Sequence, residues 1–218
     1  MATKIYSLDG NIGSGKSTLL KRIHDLHMPN VVTVFEPIDE WMSMKPDGYD
    51  KSIFEMYYEN KQRYAFMFQL YALQSRITNL VNVVRQNPGK IIITERCHLT
   101  DCQIFAKMLL EDDIMTRMEY QVYKSWYDFV VQMIPRIHGI IYINASPETC
   151  AVRIIKRHRT GEDKIDIRYL EKLHKYHQDW LMIEDTKLSD IQIHVVDGNK
   201  SPLESSDVAA VLEFVNKV

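Results

Sequence analysis

The sequence predicts an α/β fold of three layers, a central parallel five-stranded sheet flanked by helices. Two observations predict it. Short apolar runs at 4–8, 31–35, 90–94, 139–143 and 191–196 alternate with longer segments of helical periodicity, the pattern of βα units. A glycine-rich loop, Gly10-Asn11-Ile12-Gly13-Ser14-Gly15-Lys16-Ser17-Thr18, joins the first run to the first helix. The 218 residues, 45% of them hydrophobic, are enough for one sizeable core and read as a single domain over 1–218.

The loop fits G-x-x-x-x-G-K-[ST] and follows Lys4-Ile5-Tyr6-Ser7-Leu8, a strand-like stretch. Strand, loop and helix in that order is the context a phosphate-binding loop needs. Its glycines let the backbone come close to a polyphosphate, and the helix N-terminus adds a positive dipole end. Lys16 is then placed to reach the β- and γ-phosphates, and Ser17 to ligate Mg²⁺.

The first helix runs to about His24, and Met28-Pro29-Asn30 breaks it. Val31 to Phe35 reads as a buried strand ending at Glu36-Pro37, with Trp41 close behind. A carboxylate there is either a solvated turn residue or a ligand-facing group, because parallel sheets bind ligands at their C-terminal ends. From Ile53 to Arg85 the chain reads as helix in two segments. Its apolar surface from Phe66 to Val84 is wide enough to face a partner subunit or a pocket as well as the core. Gln69 and Arg76 share one face of it, as a core network or as ligand readers.

The third strand ends at Glu95-Arg96. An acid followed by an arginine at a strand end suits a metal–phosphate site, and a surface ion pair is the alternative. Thr100-Asp101 is expected to cap the next helix, with Phe105 one turn in. A helix from Met115 to Ile134, a strand at 139–143 and a helix capped by Ser146 with Pro147 follow. That last helix leads to Arg153, Arg157 and Arg159 and a polar loop through Glu162. Three arginines ahead of such a loop read as a lid, about 153–166, that closes over phosphates. An amphipathic helix from Ile167 to Glu184, a last strand with Asp197-Gly198-Asn199 at its end, and a helix from Ser205 to Val215 complete the chain.

A net charge of −2 gives no basic surplus for nucleic acid, and no apolar run reaches membrane-span length. Cys97, Cys102 and Cys150 form no metal or disulfide pattern and suit a reducing compartment. With the first strand starting at Lys4, no room is expected for a signal peptide, so a cytoplasmic location is expected. A regulatory GTPase would need N-K-x-D, and Asn199-Lys200-Ser201-Pro202 lacks the aspartate.

Taken in order, the motifs resemble the deoxyribonucleoside kinase family, in its deoxycytidine/deoxyguanosine kinase-like group. The resemblance rests on the phosphate loop, Glu36-Pro37 with Trp41, Phe68-Gln69, Glu95-Arg96 with Thr100-Asp101, Ser146-Pro147-Glu148-Thr149-Cys150, the arginine lid and Tyr169-Leu170-Glu171-Lys172-Leu173-His174. It covers nearly the whole chain. It implies a three-layer P-loop kinase fold with an arginine-bearing lid, an ATP- and Mg²⁺-dependent deoxynucleoside 5′-kinase of nucleotide salvage, and a homodimer.

The resemblance also implies roles. Glu36 accepts the 5′-OH proton, Arg96 neighbours that hydroxyl and the transferring phosphate, and Glu95 with Ser17 helps hold Mg²⁺. Tyr58 and Glu162 bind the sugar 3′-OH, and Gln69 hydrogen-bonds the base edge. Phe68 and Phe105 flank the base, and Trp41 lines the pocket. Arg153, Arg157 and Arg159 are the lid arginines, and Asp197, Gly198 and Asn199 lie near the donor base. Ala72, Arg76 and Asp101 line the base pocket. An Arg–Asp pair there predicts deoxycytidine, deoxyadenosine or deoxyguanosine over thymidine. Cys102 departs from the arginine usual after this aspartate, and His98 and Leu99 differ too. Two rival readings are a nucleoside-monophosphate kinase of thymidylate-kinase type and an inactive nucleotide-binding module.

Overall fold

Strand β1 (Lys4–Gly10) takes the middle of the sheet, and Ile5, Tyr6 and Leu8 on it are fully buried. Burial of successive residues means that both faces are covered, as a parallel sheet requires. The computed structural model describes residues 2–159, 162, 165–183, 191–200 and 205–217. After β1 come α1 (Lys16–Asp25), β2 (Val31–Val34), α2 (Ile38–Ser43), α3 (Ile53–Glu59), α4 (Lys61–Gln86), β3 (Ile91–Glu95) and α5 (His98–Thr100). A π-helical stretch (Asp101–Ala106) leads into α6 (Lys107–Glu111) and α7 (Arg117–Val131). The chain continues through β4 (Gly139–Asn144), α8 (Pro147–Arg157), α9 (Ile167–Leu181), β5 (Gln192–Asp197) and α10 (Ser205–Lys217).

The sheet is five-stranded and wholly parallel, in the order β2-β3-β1-β4-β5. One face packs Ile5, Ile92 and Ile140 against Leu80 of α4, Cys150 and Ile154 of α8, and Leu170 and Leu173 of α9. The other packs Tyr6, Ile93 and Ile141 against Leu19 and Ile23 of α1 and Val211 and Val215 of α10. These are the three layers the alternation predicts. A separate cluster, centred on Trp41, Phe54, Phe68 and Tyr123, joins α2, α3, α4 and α7.

This strand order positions the site. Leu8 pairs with Glu95 and Val34 with Thr94, so the C-terminal ends of β2, β3 and β1 lie side by side. Glu36, Glu95-Arg96 and the glycine-rich loop leave from those three ends.

Several expectations are corrected. Strand β2 is an edge strand, half-buried at Val31, Val32 and Thr33 rather than fully buried. Thr100 and Asp101 do not cap the helix after β3; it begins at His98, after Cys97. The 115–134 helix is shorter, because Thr116 starts it with a capping box in which its Oγ1 accepts from Glu119 N at 3.2 Å. Ser146 does cap α8, its Oγ accepting from Thr149 N at 3.2 Å. The apolar surface of α4 faces a pocket in part, as the sequence allows: Phe68 and Ala72 line a cavity, while Leu73 and Leu80 are buried in the chain. A further exposed apolar stripe lies on α7 and just past it, where Met118, Val122, Trp126, Phe129 and Met133 stand out to solvent. Glu184, expected to end the helix after the lid, lies outside the described residues, as do lid positions 160, 161, 163 and 164. Among the described residues no helix is long and apolar enough to cross a membrane.

Candidate active site

A cavity of about 630 Å³ opens at the C-terminal ends of β1, β2 and β3. At one end lies the glycine-rich loop, which needs its glycines for close approach. Gly13 has φ +79°, and a Cβ there would meet the Cys150 carbonyl oxygen of α8 at 2.6 Å. Gly10 has φ +144°, and its Cβ would meet the Ile143 carbonyl oxygen at 2.6 Å. Lys16 is buried, its Nζ donating to the Asn11 and Gly10 carbonyls at 2.7 and 3.2 Å. Burial, with Arg96 nearby, lowers its pKa to about 7, against the pull of Glu95 and Glu36. Ser17 Oγ donates to Glu95 Oε1 at 2.8 Å, so the predicted metal ligands are adjacent.

Across the cavity Glu36 meets two guanidinium groups. Arg96 Nη1 stands 3.1 Å from its Oε2, and Arg76 Nη2 stands 2.5 Å from its Oε1. Burial alone would push the carboxyl pKa up, but Arg96 and Arg76 outweigh it and hold the pKa at about 2. Arg96 itself has φ +58°, in the left-handed region that favours glycine. Three bonds fix that conformation: its N–H donates to Leu8 O at 3.1 Å, Nη2 to Gly10 O at 3.1 Å, and Nη1 to Glu36. Its guanidinium also lies 5.0 Å from the Phe105 ring centroid.

The remaining wall is aromatic. Trp41, Phe54, Tyr57, Tyr58, Phe68, Phe105 and Tyr169 line it, with Gln69, Ala72 and Arg76. Asp101 does not line it, a correction to the sequence reading: it is fully buried one layer behind. Its Oδ1 accepts from Gln69 Nε2 at 2.5 Å and Tyr123 Oη at 2.8 Å, and its Oδ2 from Arg76 Nη1. The aspartate therefore orients Gln69 and Arg76, which do face the cavity. Its place at the start of the π-helical turns brings it under α4, and Phe105, in the same turns, faces the cavity.

Arg153, Arg157, Arg159 and Glu162 all line the cavity. Arg157 Nε and Arg159 Nη1 donate to Glu162 at 2.7 and 3.1 Å, so the acid draws two lid arginines together. Arg153 braces instead: its Nη atoms donate to Ser14 O at 2.9 Å, Gly198 O at 2.8 Å and Lys200 O at 2.8 Å. Asp197, Gly198 and Asn199 lie outside the lining of this cavity. Their polar groups are used in the turn: Asp197 Oδ1 accepts from Asn199 N at 3.0 Å, and Asn199 Oδ1 accepts from Ser146 N at 2.8 Å. Gly198 reaches the site through Arg153, which donates to its carbonyl. Within the loop, Gly10, Asn11 and Ser14 are buried behind the lining residues Ile12, Gly13, Gly15, Lys16, Ser17 and Thr18. Asn11 Nδ2 donates to Leu170 O at 2.8 Å and so ties the loop to α9.

The sequence model of the deoxynucleoside kinases matches residues 6–218. The chain belongs to the deoxynucleoside kinase family. It is 33% identical to human deoxycytidine kinase over 98% of this chain and 91% of that protein. It is 31% identical to a mitochondrial deoxyguanosine kinase of Xenopus laevis over 87% of this chain and 77% of the relative. A probable deoxycytidine kinase of fowlpox virus is 28% identical over 99% and 89%. The chain is thus a deoxynucleoside kinase, and its parallel five-stranded sheet is that of the P-loop kinase fold.

Parts of this kinase site were not legible in the sequence. Phe54 and Tyr57 belong to α3, whose Ser52-x-x-Glu55 capping box marks the helix but not the direction it faces. Tyr169 was visible only as part of a motif. Tyr123, the buried donor to Asp101, lies on a surface helix with no local signal. Asp9, fully buried before the loop, accepts from Ser7 Oγ at 2.6 Å and from Thr100 Oγ1, so it fastens β1 to α5.

Proposed function

We propose that this kinase transfers the γ-phosphate of ATP to the 5′-OH of deoxycytidine, deoxyadenosine or deoxyguanosine in preference to thymidine. The product is the deoxynucleoside monophosphate of nucleotide salvage. One observation carries the reading: Glu36, buried between Arg96 and Arg76, faces a cavity with the phosphate loop at one end and aromatic rings at the other. Arg96 and Arg76 keep Glu36 ionised at neutral pH, so its oxygens can accept the hydrogen bond of the 5′-OH. As the 5′-oxygen attacks the γ-phosphorus, the proton moves from that oxygen to Glu36. Lys16, Arg96 and the lid arginines Arg157 and Arg159 offset charge on the phosphoryl oxygens, and positioning supplies much of the rest. Arg153 keeps the loop in register.

Mg²⁺ fits this site. Ser17 Oγ and Glu95 offer two hard oxygen donors 2.8 Å apart, and magnesium takes one or two protein oxygens, phosphates and waters. When bound, it would neutralise phosphate charge.

For the acceptor, Tyr58 and Glu162 suit the sugar 3′-OH, with Trp41, Phe68, Ala72 and Phe105 around the base. With Nε2 on Asp101, Gln69 keeps its amide oxygen as an acceptor for an exocyclic amino group. Thymine offers an oxygen and a methyl group in that place. The chain would work as one domain with its lid at about 153–166. Its three free cysteines are buried and suit a cytoplasmic setting. The α7 stripe suits a homodimer.

The test is phosphoryl transfer from ATP to each of the four deoxynucleosides, by wild type and Glu36→Gln. Deoxycytidine or a purine should be the best acceptor, with turnover lowered about 10²–10⁴-fold in the variant. Thymidine as the best acceptor would sink the specificity. Turnover of monophosphates only would move the protein to the thymidylate-kinase type.

A further inference from the structure

The wall formed by Tyr57, Tyr58 and Tyr169 has a cation behind it. Lys61, the first residue of α4, places its Nζ 3.7 Å from the Tyr169 ring centroid. The same ammonium lies 5.8 Å from the Tyr57 centroid and 5.7 Å from that of Tyr58. All three tyrosines line the cavity, whereas Lys61 does not. The rings come from different places, Tyr57 and Tyr58 from α3 and Tyr169 from the first turn of α9, directly after the lid. Tyr57 also stacks on Phe68 at 4.6 Å, so its plane is passed on to the base side of the cavity. A cation shared by three ring faces fixes their mutual orientation, and it does so most strongly where water is excluded.

We propose that Lys61 is a positioning residue for the acceptor: its ammonium holds the tyrosine wall of α3 and α9 together, so that the sugar end of the pocket is formed before the nucleoside binds. This rests on reading that wall as the acceptor side of the site. An acceptor meeting a preformed wall loses less affinity to ordering side chains. The contribution therefore falls on acceptor binding, and the phosphate loop at the far end of the cavity is left alone.

Charge is the working feature. The titratable groups facing Lys61 are Tyr57 and Tyr58 from α3, Tyr169 from α9, and Asp166 at the cap of α9. Burial lowers the Lys61 pKa to about 8, and Asp166 pulls it back up. The three tyrosine pKa values are all raised by burial, so those hydroxyls stay protonated while Lys61 titrates. As pH rises through about 8, Lys61 loses its charge and the wall loses its cation.

The experiment compares wild type, Lys61→Met and Lys61→Arg. It measures kcat and KM for the best of the four deoxynucleosides and KM for ATP at pH values from about 6.5 to 9.5, with Tm for each protein. At pH 7, Lys61→Met should raise the nucleoside KM about 3–10-fold, with kcat and the ATP KM within about twofold. The wild-type nucleoside KM should climb above pH 8 towards that of the Met variant, whose own KM stays flat. Lys61→Arg, charged throughout, should keep a low KM across the range. An unchanged nucleoside KM in Lys61→Met would overturn the proposal. So would a lowered Tm with no change in nucleoside KM, or an arginine variant as impaired as the methionine one. A rise in the ATP KM alone would overturn the acceptor reading of this wall. An inactive wild type would overturn the functional reading itself.

Discussion

Arg76 Nη2 stands 2.5 Å from Glu36 Oε1, and its Nη1 ion-pairs with Asp101. One guanidinium thus links the cavity-facing Glu36 to the buried Asp101, which also holds Gln69. It also lies 4.9 Å from the Trp41 ring centroid, which restricts its swing. The Glu36 and Gln69 sides of the cavity are therefore joined through one side chain.

With Glu36 as the proposed base, that link should set the acid limb of the pH–rate profile. Arg96 and Arg76 hold the Glu36 pKa at about 2, so the base stays ionised well below neutral pH. Removing a cation from beside a carboxylate weakens the preference for its charged form and raises its pKa. Arg76→Met should therefore move the acid limb of kcat/KM upward, so that activity falls between about pH 6 and pH 4 where wild type still turns over. An unshifted limb, measured where circular dichroism reports both proteins folded, would show that Arg76 does not tune the base.

Lys16 should take up a proton when ATP binds. In the empty site, burial and the neighbouring Arg96 bring its pKa to about 7, so much of it is neutral at pH 8. Triphosphate oxygens placed beside it favour the charged form and raise that pKa. Calorimetry of ATP binding at pH 8, in buffers of different ionisation enthalpy, should show net proton uptake by the protein. Lys16→Met should bind more weakly and lose that uptake. Equal heats in all buffers for wild type would contradict the shift.

Tyr123 should influence base choice without touching the nucleoside. Its hydroxyl donates to Asp101 Oδ1 at 2.8 Å, beside the Gln69 bond to the same oxygen. Tyr123→Phe leaves a buried carboxylate short of one donor and frees Asp101 to turn. The deoxycytidine KM should rise about 3–10-fold, with a smaller change for thymidine, so the preference narrows. Competition between the two nucleosides measures the ratio directly. A ratio equal to that of wild type would mean that Arg76 and Gln69 orient the aspartate unaided.

What the sequence made legible was local chemistry. The phosphate loop is contiguous, so Lys16 and Ser17 could be assigned from spacing, and Glu36 and Glu95 from where their strands stop. Gln69 and Arg76 could be put on one face, because a helix fixes that relation between seven-apart residues. What converges on them could not be read. Asp101 sits one layer behind the cavity because π-helical turns re-aim it, and no residue type announces such turns. The half-burial of β2 depends on its edge position, which its apolar run does not encode. The apolar width of α4 was visible, but its partners are Trp41, Phe54 and Tyr123 of this chain. Periodicity says that a face is buried and not against what.

The exposed stripe on α7 is an unpaired surface of that kind, and it yields a prediction of assembly. Met118 is 74% exposed, Trp126 53% and Phe129 56%, and with Val122 and Met133 they recur at helical spacing along one side. Tyr123 and Tyr127 occupy the opposite, buried side, so the helix is apolar on both. A helix with two apolar faces normally has neighbours on both, and a second copy related by a twofold axis can supply the missing one by matching the stripe to itself. Wild type should therefore sediment at micromolar concentration with twice the mass of one chain. Trp126→Glu combined with Phe129→Glu should give the monomer mass with unchanged helical circular dichroism, because both side chains are more than half exposed. A double variant that still sediments as a dimer would place the interface on another face, and a monomeric wild type would remove the dimer altogether.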